Sequence, residues 1–364
     1  MIQQEPNDST EKKLFTALRL LIGLLLGAVA IFFLLVSILF FDTPSLPTEE
    51  PAVVQKTYTK PDSNFTGLWI APADWRMSQL STEKQQLVKY GKELIAHTST
   101  YLGPKGSVRH LSNGMNCQNC HLNAGTQPWG NNYFAVESTY PKFRERSGGI
   151  ENKIKRVNDC FERSLNGKAL DSTSREMQAI ITYIEWLGTG VASKTSPKGS
   201  GIFKLKLLSR ATDPDKGKIV YEQKCQSCHQ AQGEGVLATD GKSYSFPPLW
   251  GKNSYNTGAG LYRISNFAGY VKYNMPLGAT YQNPQLSDEE AWDVAAFVNS
   301  MPRPTKDLSH DWPNLAGKPF DHPFGPYADS FSEKQHKYGP YQPIKAWKEQ
   351  HKGLKVPHSK LAKL

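Results

Sequence analysis

Two stretches decide the fold of this chain, Cys117-Gln118-Asn119-Cys120-His121 and Cys225-Gln226-Ser227-Cys228-His229. Each has two cysteines separated by two residues and followed at once by a histidine. This spacing is typical of c-type haem attachment, in which both thiols bond to the haem vinyl groups and the histidine binds the iron from one face. The motifs therefore predict two covalently bound haem c groups. They use four of the five cysteines and leave Cys160 unpaired.

An uncharged apolar run covers residues 20–41. A helix of about 20 residues is about 30 Å long, which matches the hydrocarbon core of a bilayer. Three cations precede the run and the next follows only at Lys56, so the N-terminus is predicted to lie inside and the rest of the chain outside. A cleaved signal peptide is the alternative, but its apolar core is usually only about 7–15 residues and ends in small side chains. The ending Leu39-Phe40-Phe41 favours an uncleaved signal-anchor.

These features predict a single-pass inner-membrane protein with a cytoplasmic N-terminus and a periplasmic body. That compartment is where bacterial c-type haems are attached, and it excludes nucleic acid as a partner. The net charge of +10 could attract anionic substrates or acidic redox partners, although a soluble, solvated surface explains it equally well.

Each haem motif lies between two segments with helical periodicity. Helices are predicted at residues 81–97 and 174–187 around the first motif, and at 213–223 and from Ser287 onward around the second. Ser287 begins like a capped helix with an acidic first turn. The repeated pattern resembles the class I cytochrome c domain, in which two terminal helices cross beside the haem. The resemblance implies a mainly α fold with two class I cytochrome c domains in tandem, preceded by one transmembrane helix.

Composition and the two motifs divide the chain into seven predicted segments. In chain order they are a cytoplasmic N-terminus (1–13), a transmembrane signal-anchor helix (14–41), a tether (42–62), an N-terminal cytochrome c domain (63–191), a linker (192–201), a C-terminal cytochrome c domain (202–304) and a wrapping tail with a basic C-terminus (305–364). The tail is predicted to be coil ordered against the domains up to about residue 347 and mobile from about residue 348.

The iron of each haem needs a sixth ligand or an open position. For the second haem we predict Met275, because the flanking Pro276 and Gly278 place its thioether on a loop. Met301 competes, but it lies at the end of a helix. Methionine ligation raises a haem's reduction potential, so this haem should be the electron exit. The first haem has no such loop, and Met177 lies in an apolar helical stripe.

Cys160 has two interpretations. A lone cysteine is usually a small buried hydrophobe, but here cations surround it in the sequence: Arg144, Arg146, Lys153, Lys155, Arg156 and Arg163. Cations near a thiol favour the thiolate, which is the better nucleophile and the better iron ligand. They would also hold a doubly charged anion. An ordinary exposed basic loop remains the alternative.

The surroundings of Cys160 carry a family resemblance. The stretches Tyr140-Pro141-Lys142-Phe143-Arg144-Glu145-Arg146-Ser147-Gly148-Gly149 and Arg156-Val157-Asn158-Asp159-Cys160-Phe161-Glu162-Arg163-Ser164-Leu165-Asn166-Gly167 resemble the dihaem thiosulfate dehydrogenases, which also act as tetrathionate reductases. The resemblance covers both haem domains. It extends into the tail at Asp311-Trp312-Pro313 and at Gln335-His336-Lys337-Tyr338-Gly339-Pro340.

In that family the first haem has His/Cys ligation and is the active site. The resemblance therefore implies that His121 and Cys160 are its axial ligands. It also implies that Arg146 and Arg156 bind the anion and that Ser164 is a polar contact in the same pocket.

The second haem, held by Cys225, Cys228 and His229, would receive the electrons. Some family members place a lysine directly before the methionine and exchange ligands on reduction. Asn274 stands at that position here, so stable His229/Met275 ligation is expected.

The implied reaction joins two thiosulfates into tetrathionate and releases two electrons, and Cys160 would leave the iron and carry a thiosulfonate as covalent intermediate. We therefore expect a membrane-anchored periplasmic oxidoreductase that interconverts thiosulfate and tetrathionate, with a soluble or membrane cytochrome as electron partner. A non-catalytic dihaem electron-transfer cytochrome c is the alternative, and a subunit of a larger sulfur-oxidising complex is a third possibility. A pure carrier has no need of an anion site beside its haem.

Overall fold

The computed structural model describes residues 8–41, 67–72 and 74–358. The predicted tether lies outside these residues, as do the first seven residues and the last six. The chain divides between residues 60 and 61 into two units, an N-terminal one and the body, which are described separately.

The N-terminal unit contains one long helix, α1 (Asp8–Phe41). Its segment Phe15–Phe32 has a mean hydropathy of 2.3 and none of it is buried. By length and composition this helix can cross a bilayer, which is consistent with a membrane anchor or a signal sequence.

The first half of the body contains the first haem motif, which forms a short 3-10 helix at Cys117–Asn119. Its α-helices are α2 (Asp74–Met77), α3 (Thr82–Ala96), α4 (Thr98–Leu102), α5 (Leu122–Gly125), α6 (Val136–Thr139), α7 (Lys153–Arg163) and α8 (Arg175–Leu187). An antiparallel hairpin of β1 (Lys142–Arg144) and β2 (Gly149–Glu151) precedes α7, with Phe143 opposite Ile150.

The long helices α3 and α8 pack against each other along their length. Both begin at serine caps, because Ser81 accepts a hydrogen bond from the N–H of Lys84 and Ser174 accepts one from Met177. A Cβ added at Gly91 would lie 2.1 Å from the carbonyl oxygen of Ala179, so only glycine allows this close approach. The two helices predicted around the first motif are confirmed.

The second half repeats this arrangement. Its elements are α9 (Pro214–Lys224), α10 (Gln226–His229), β3 (Val236–Leu237), β4 (Tyr244–Phe246), a 3-10 helix (Gly260–Tyr262), α11 (Ile264–Asn274) and α12 (Asp288–Ser300). Helix α9 packs against α12, and a Cβ at Gly217 would lie 1.9 Å from the carbonyl oxygen of Asp293. Ser287 and Glu290 form the predicted capping box of α12. In each half, therefore, the first and last long helices pack closely against each other at a glycine.

The tail differs from the prediction of coil. It contains a 3-10 helix (Leu315–Gly317) and two α-helices, α13 (Glu333–Tyr338) and α14 (Gln342–Gln350). These helices are short and are stabilised by packing, as shown by the complete burial of Ile344. The described part of the segment predicted to be mobile is also fixed to an earlier part of the tail, because the N–H of Val356 donates to Asn314 Oδ1 at 2.8 Å.

Candidate functional site

A cavity in the first half of the body gathers most of the residues predicted for the first haem. It is lined by Cys117, Cys120, His121, Arg156, Cys160 and Ser164. Its apolar wall comes from α3, α7 and α8 through Ile95, Phe161, Ile180 and Ile184, and from Leu165 just after α7. The thiols and the imidazole thus face the same space as the unpaired cysteine.

The first motif is fixed by buried polar side chains of α4 and of the loop before the motif. Asn116 and Asn119 form a capping box around the 3-10 helix, and Asn116 Oδ1 also accepts a hydrogen bond from the N–H of Ser99. Thr98 Oγ1 accepts the N–H of Cys117 at 2.9 Å. The N–H of His121 donates to the carbonyl of Cys117, which closes the turn that brings the two thiols and the histidine together.

The backbone orients the imidazole of His121 in this cavity. Its Nδ1–H donates to the carbonyl oxygen of Asn131 at 2.5 Å, so the lone pair is on Nε2. Burial, opposed by the hydrogen bond to Asn131 and assisted by the nearby Arg156, lowers the pKa of His121 to about 4, so the ring is neutral near pH 7. Two thiols, one neutral imidazole and an apolar wall fit a haem c group.

Helix α7 brings the predicted catalytic side chains to the cavity. It begins at Asn152, whose side chain accepts the N–H of Lys155. Arg156, Cys160 and the C-cap residue Ser164 are spaced four residues apart and therefore lie on one helical face. Cys160 and Arg156 therefore lie on a helix, and not on the exposed basic loop that was the alternative.

The charge of Arg156 is coupled to Cys160. The electrostatic interaction with Cys160 is the largest cause of the raised pKa of Arg156, ahead of burial, which acts in the opposite direction. Tyr140 and Asp159 add to this rise. The guanidinium is therefore held in its charged form beside the sulfur.

Arg146 stands apart from the residues that line the cavity. It lies in the turn between β1 and β2, and its guanidinium contacts the tail, with Nε 3.9 Å from Asp311 Oδ2 and Cζ 5.6 Å from the centre of the Trp312 ring. Burial, together with repulsion from Arg163 and Arg156, lowers the pKa of Arg146 to about 10. The structure thus brings Arg156, Cys160 and Ser164 into one cavity and places Arg146 on a neighbouring hairpin.

Several side chains at this site were not predicted from the sequence. Tyr140, which precedes the hairpin, and Asn131 both line the cavity, together with Lys153, one of the cations already expected near Cys160. Asp311 lies in the tail and was not singled out as a partner of the arginines. The signal for α7 itself was present, because Ile154, Val157 and Phe161 recur at helical spacing.

The second motif repeats the turn of the first. The N–H of His229 donates to the carbonyl of Cys225 at 2.9 Å, and the N–H of Cys228 donates to the same oxygen at 3.2 Å. His229 Nδ1–H donates to the carbonyl of Pro247 at 2.8 Å, and burial lowers the pKa of this histidine. A neutral imidazole is again oriented with Nε2 available.

The three candidate methionines occupy different positions. Met275 follows the last residue of α11 and is half-buried. Met301 is the C-cap residue of α12, and Met177 is completely buried within α8. Met177 therefore has the core position that the helical stripe indicated, while ligation by Met275 stays a prediction.

Two family models match the chain. Residues 108–192 match the SoxA/TsdA cytochrome c domain, and residues 214–302 match cytochrome c. A thiosulfate dehydrogenase of Psychrobacter arcticus is 40% identical over 233 residues, which cover 62% of this chain and 67% of that protein. Another, of Allochromatium vinosum, is 42% identical over 198 residues, which cover 53% and 72%. This chain belongs to the thiosulfate dehydrogenase family.

A solved structure of the thiosulfate dehydrogenase TsdBA from Marichromatium purpuratum, in its "as isolated" form, is similar with a TM-score of 0.59 and 31% sequence identity. The match covers 66% of this chain and half the length of that one. The predicted fold, mainly α with two cytochrome c domains, is confirmed. Two such domains imply haem c as the prosthetic group, and membership of the thiosulfate dehydrogenase family supports thiosulfate oxidoreduction.

Proposed function

We propose that this protein is a membrane-anchored, periplasmic dihaem oxidoreductase that interconverts thiosulfate and tetrathionate. The arrangement of Arg156, Cys160 and Ser164 on one face of α7, in the cavity that also holds the first haem motif, carries the proposal. An electron carrier needs neither a thiol nor a guanidinium at this place. The alternative of a non-catalytic cytochrome is therefore disfavoured.

The proposed cofactors are two covalently bound haem c groups. Cys117 and Cys120 would attach the first, with His121 and Cys160 as axial ligands. Cys225 and Cys228 would attach the second, whose axial ligands would be His229 and Met275. When bound, the haems would supply one-electron carriers: the first would pass electrons to the second, and the second would pass them to an external acceptor.

The first task of the protein side chains is to bring two dianions together. Two unit charges 4 Å apart repel by about 4 kcal/mol at an effective dielectric constant near 20, and thiosulfate carries twice that charge. Arg156, inside the cavity, offers a planar pair of donors to a sulfonate group. Ser164 adds a hydroxyl donor on the same face. Arg146, on the hairpin, adds a second positive charge.

The second task is covalent chemistry at Cys160. Its thiolate sulfur forms a bond with the outer (sulfane) sulfur of one thiosulfate, and two electrons leave the pair of sulfurs. The outer sulfur of a second thiosulfate then attacks the bound sulfane sulfur. The bond to Cys160 breaks, the thiolate departs, and tetrathionate is released. Two thiosulfates have then lost two electrons with no net change in protons, and the reverse sequence reduces tetrathionate.

The proposed location follows from α1, whose apolar segment Phe15–Phe32 would hold the protein in the inner membrane with a cytoplasmic N-terminus. The body would lie in the periplasm, where a soluble or membrane cytochrome can take the electrons. Ligation by methionine raises a haem's potential, so electrons would leave through the second domain.

Thiosulfate added to the oxidised, haem-loaded full-length protein should reduce it, as followed by the haem absorption bands. Tetrathionate should reoxidise the reduced protein. Cys160→Gly should lose both reactions, whereas Lys168→Ala, at an exposed position after α7, should keep them. A wild type that responds to neither compound would overturn the proposed activity. Equal turnover by Cys160→Gly would overturn the role of this thiol.

A further inference from the structure

The tail reaches the hairpin beside the cavity through Asp311 and Trp312. The N–H of Trp312 donates to the carbonyl of Arg146 at 2.8 Å, and its ring lies against the Arg146 guanidinium. Pro313 also fills the space beside Gly148, where an added Cβ would lie 2.5 Å from its ring. This segment thus fixes the turn of the hairpin, whose flanking residues Tyr140 and Lys153 line the cavity.

Asp311 is shared by two arginines in different ways. Its carboxylate binds Arg163 of α7 in a two-pronged geometry, with both nitrogen–oxygen distances 2.8 Å. Arg146 Nε is 3.9 Å from Asp311 Oδ2, which is an ion-pair distance but not a hydrogen bond. Asp311 therefore accepts its two strong hydrogen bonds from Arg163, while it attracts Arg146 only through its charge.

One donor of the Arg146 guanidinium lacks an acceptor among the residues that the structure describes. This donor is Nε, which is buried. The side chain is held by the Asp311 charge, by the Trp312 ring and by the backbone hydrogen bond, so an arriving anion would have no hydrogen bond at Arg146 Nε to displace. A buried donor without an acceptor is costly, and an anion would remove that cost.

We propose that Asp311 is a positioning residue for thiosulfate, because it holds Arg146 beside the cavity with its Nε donor available to the substrate. This inference rests on the proposed function, since it assigns Arg146 to the substrate anion. Asp311 acts through the arginine and does not itself contact the anion.

The sign of the effect follows from the charges around Arg146. Arg163 and Arg156 both repel this guanidinium, as their contribution to its lowered pKa shows, while Asp311 and Asp159 attract it. Without the Asp311 carboxylate, Arg163 loses its partner and Arg146 loses the nearer attracting charge. Arg146 should then move away from the two other arginines and towards solvent, which weakens substrate binding.

Steady-state thiosulfate oxidation by the full-length holoprotein tests this role. Asp311→Asn should raise KM at least tenfold while kcat falls less than threefold, and Asp311→Glu, which keeps the charge, should give an intermediate KM. In an Arg146→Gln background, Asp311→Asn should raise KM less than threefold further, because its effect passes through Arg146.

Asp293→Asn is the matched control. Asp293 binds Arg210 with the same two 2.8 Å distances, but in the second half of the body. Its loss should lower thermal stability without changing KM. If Asp311→Asn does not fold, the double variant Arg163→Met/Asp311→Asn removes the buried pair as a whole and leaves no uncompensated charge there. It should still raise KM, although less than Asp311→Asn does, because the repulsion from Arg163 is removed as well.

An unchanged or lower KM in a folded variant that lacks Asp311 would overturn its role, as would full additivity with Arg146→Gln. A wild type that does not oxidise thiosulfate would overturn the proposed function together with this role. An active wild type with an unchanged KM in Asp311→Asn would overturn the role alone.

Discussion

The side chain of Asn274 joins the two haem-binding halves of the body by a hydrogen bond to Gln127. Asn274 Oδ1 accepts the bond from Gln127 Nε2 at 2.7 Å, and Asn274 Nδ2 donates to the carbonyl of Trp129 at 3.2 Å and to that of Tyr270 at 2.8 Å. Gln127 and Trp129 follow the first haem motif, while Asn274 directly precedes Met275. The residue before the predicted ligand is therefore a structural link between the halves.

Asn274→Ala should destabilise the protein by about 1–3 kcal/mol, because Gln127 loses a buried partner and the carbonyls of Trp129 and Tyr270 lose a donor. Denaturant unfolding followed by circular dichroism measures this change. Asn283→Ala is the control, since Asn283 is exposed. Equal unfolding midpoints for Asn274→Ala and Asn283→Ala would show that the link contributes nothing to stability.

Arg156 is expected to contribute both charge and shape to anion binding. Arg156→Gln removes charge-assisted hydrogen bonds worth about 1.5–3 kcal/mol, so kcat/KM for thiosulfate should fall about 10- to 150-fold. Arg156→Lys keeps the charge but loses the planar pair of donors, and its kcat/KM should be intermediate. Arg109→Gln, which removes an exposed arginine, should be unchanged. A loss in Arg156→Lys as large as in Arg156→Gln would mean that geometry alone matters.

Much of the fold could be predicted from local signals. The two haem motifs specify their own turns, and the serines at residues 81, 174 and 287 mark helix starts by caps that the structure contains. The tail helices α13 and α14 could not be predicted in this way. They are short, and their stability comes from contacts with distant parts of the chain, such as the packing of Tyr341 against Trp292.

The candidate site was only partly accessible from the sequence. Arg156, Cys160 and Ser164 are close in the chain, so their shared helical face is a local property. The partnership of Arg146 and Arg163 with Asp311 spans about half of the chain, and no local pattern connects these residues. Only the folded structure shows that a tail residue balances the charges beside the cavity.

Lys318 in the tail should make the free energy of unfolding change with pH in the alkaline range. Its Nζ donates to the carbonyls of Phe324 and Pro326, and burial lowers its pKa to about 8, although Asp311 and Glu333 oppose the shift. The unfolded chain keeps this proton up to about pH 10.4. Between these values the unfolded state binds more protons, so stability relative to a neutral variant should rise with pH from about 8 to about 10.4.

Thermal unfolding of the wild type and of Lys318→Met across this range measures the difference. Groups common to both proteins cancel, including His322, whose pKa of about 3 keeps it neutral here. Lys168→Met, which removes an exposed lysine, should follow the wild type at every pH. A constant difference between the wild type and Lys318→Met would show that Lys318 keeps its ordinary pKa.

The proposed anchor makes a prediction that separates location from chemistry. All the residues assigned to the two haem sites lie in the body, whereas α1 belongs to the other unit. Replacement of residues 1–41 by a cleavable export signal should therefore release the protein from the membrane fraction, with kcat and KM for thiosulfate within twofold of the wild type. The wild type should stay with the membranes after a high-salt wash and come off only with detergent, because an apolar helix of this length is held by the hydrocarbon core and not by charge. A wild type that is soluble and lacks its first residues would identify α1 as a cleaved signal. This result would contradict the proposed anchor and leave the proposed chemistry of the body unaffected.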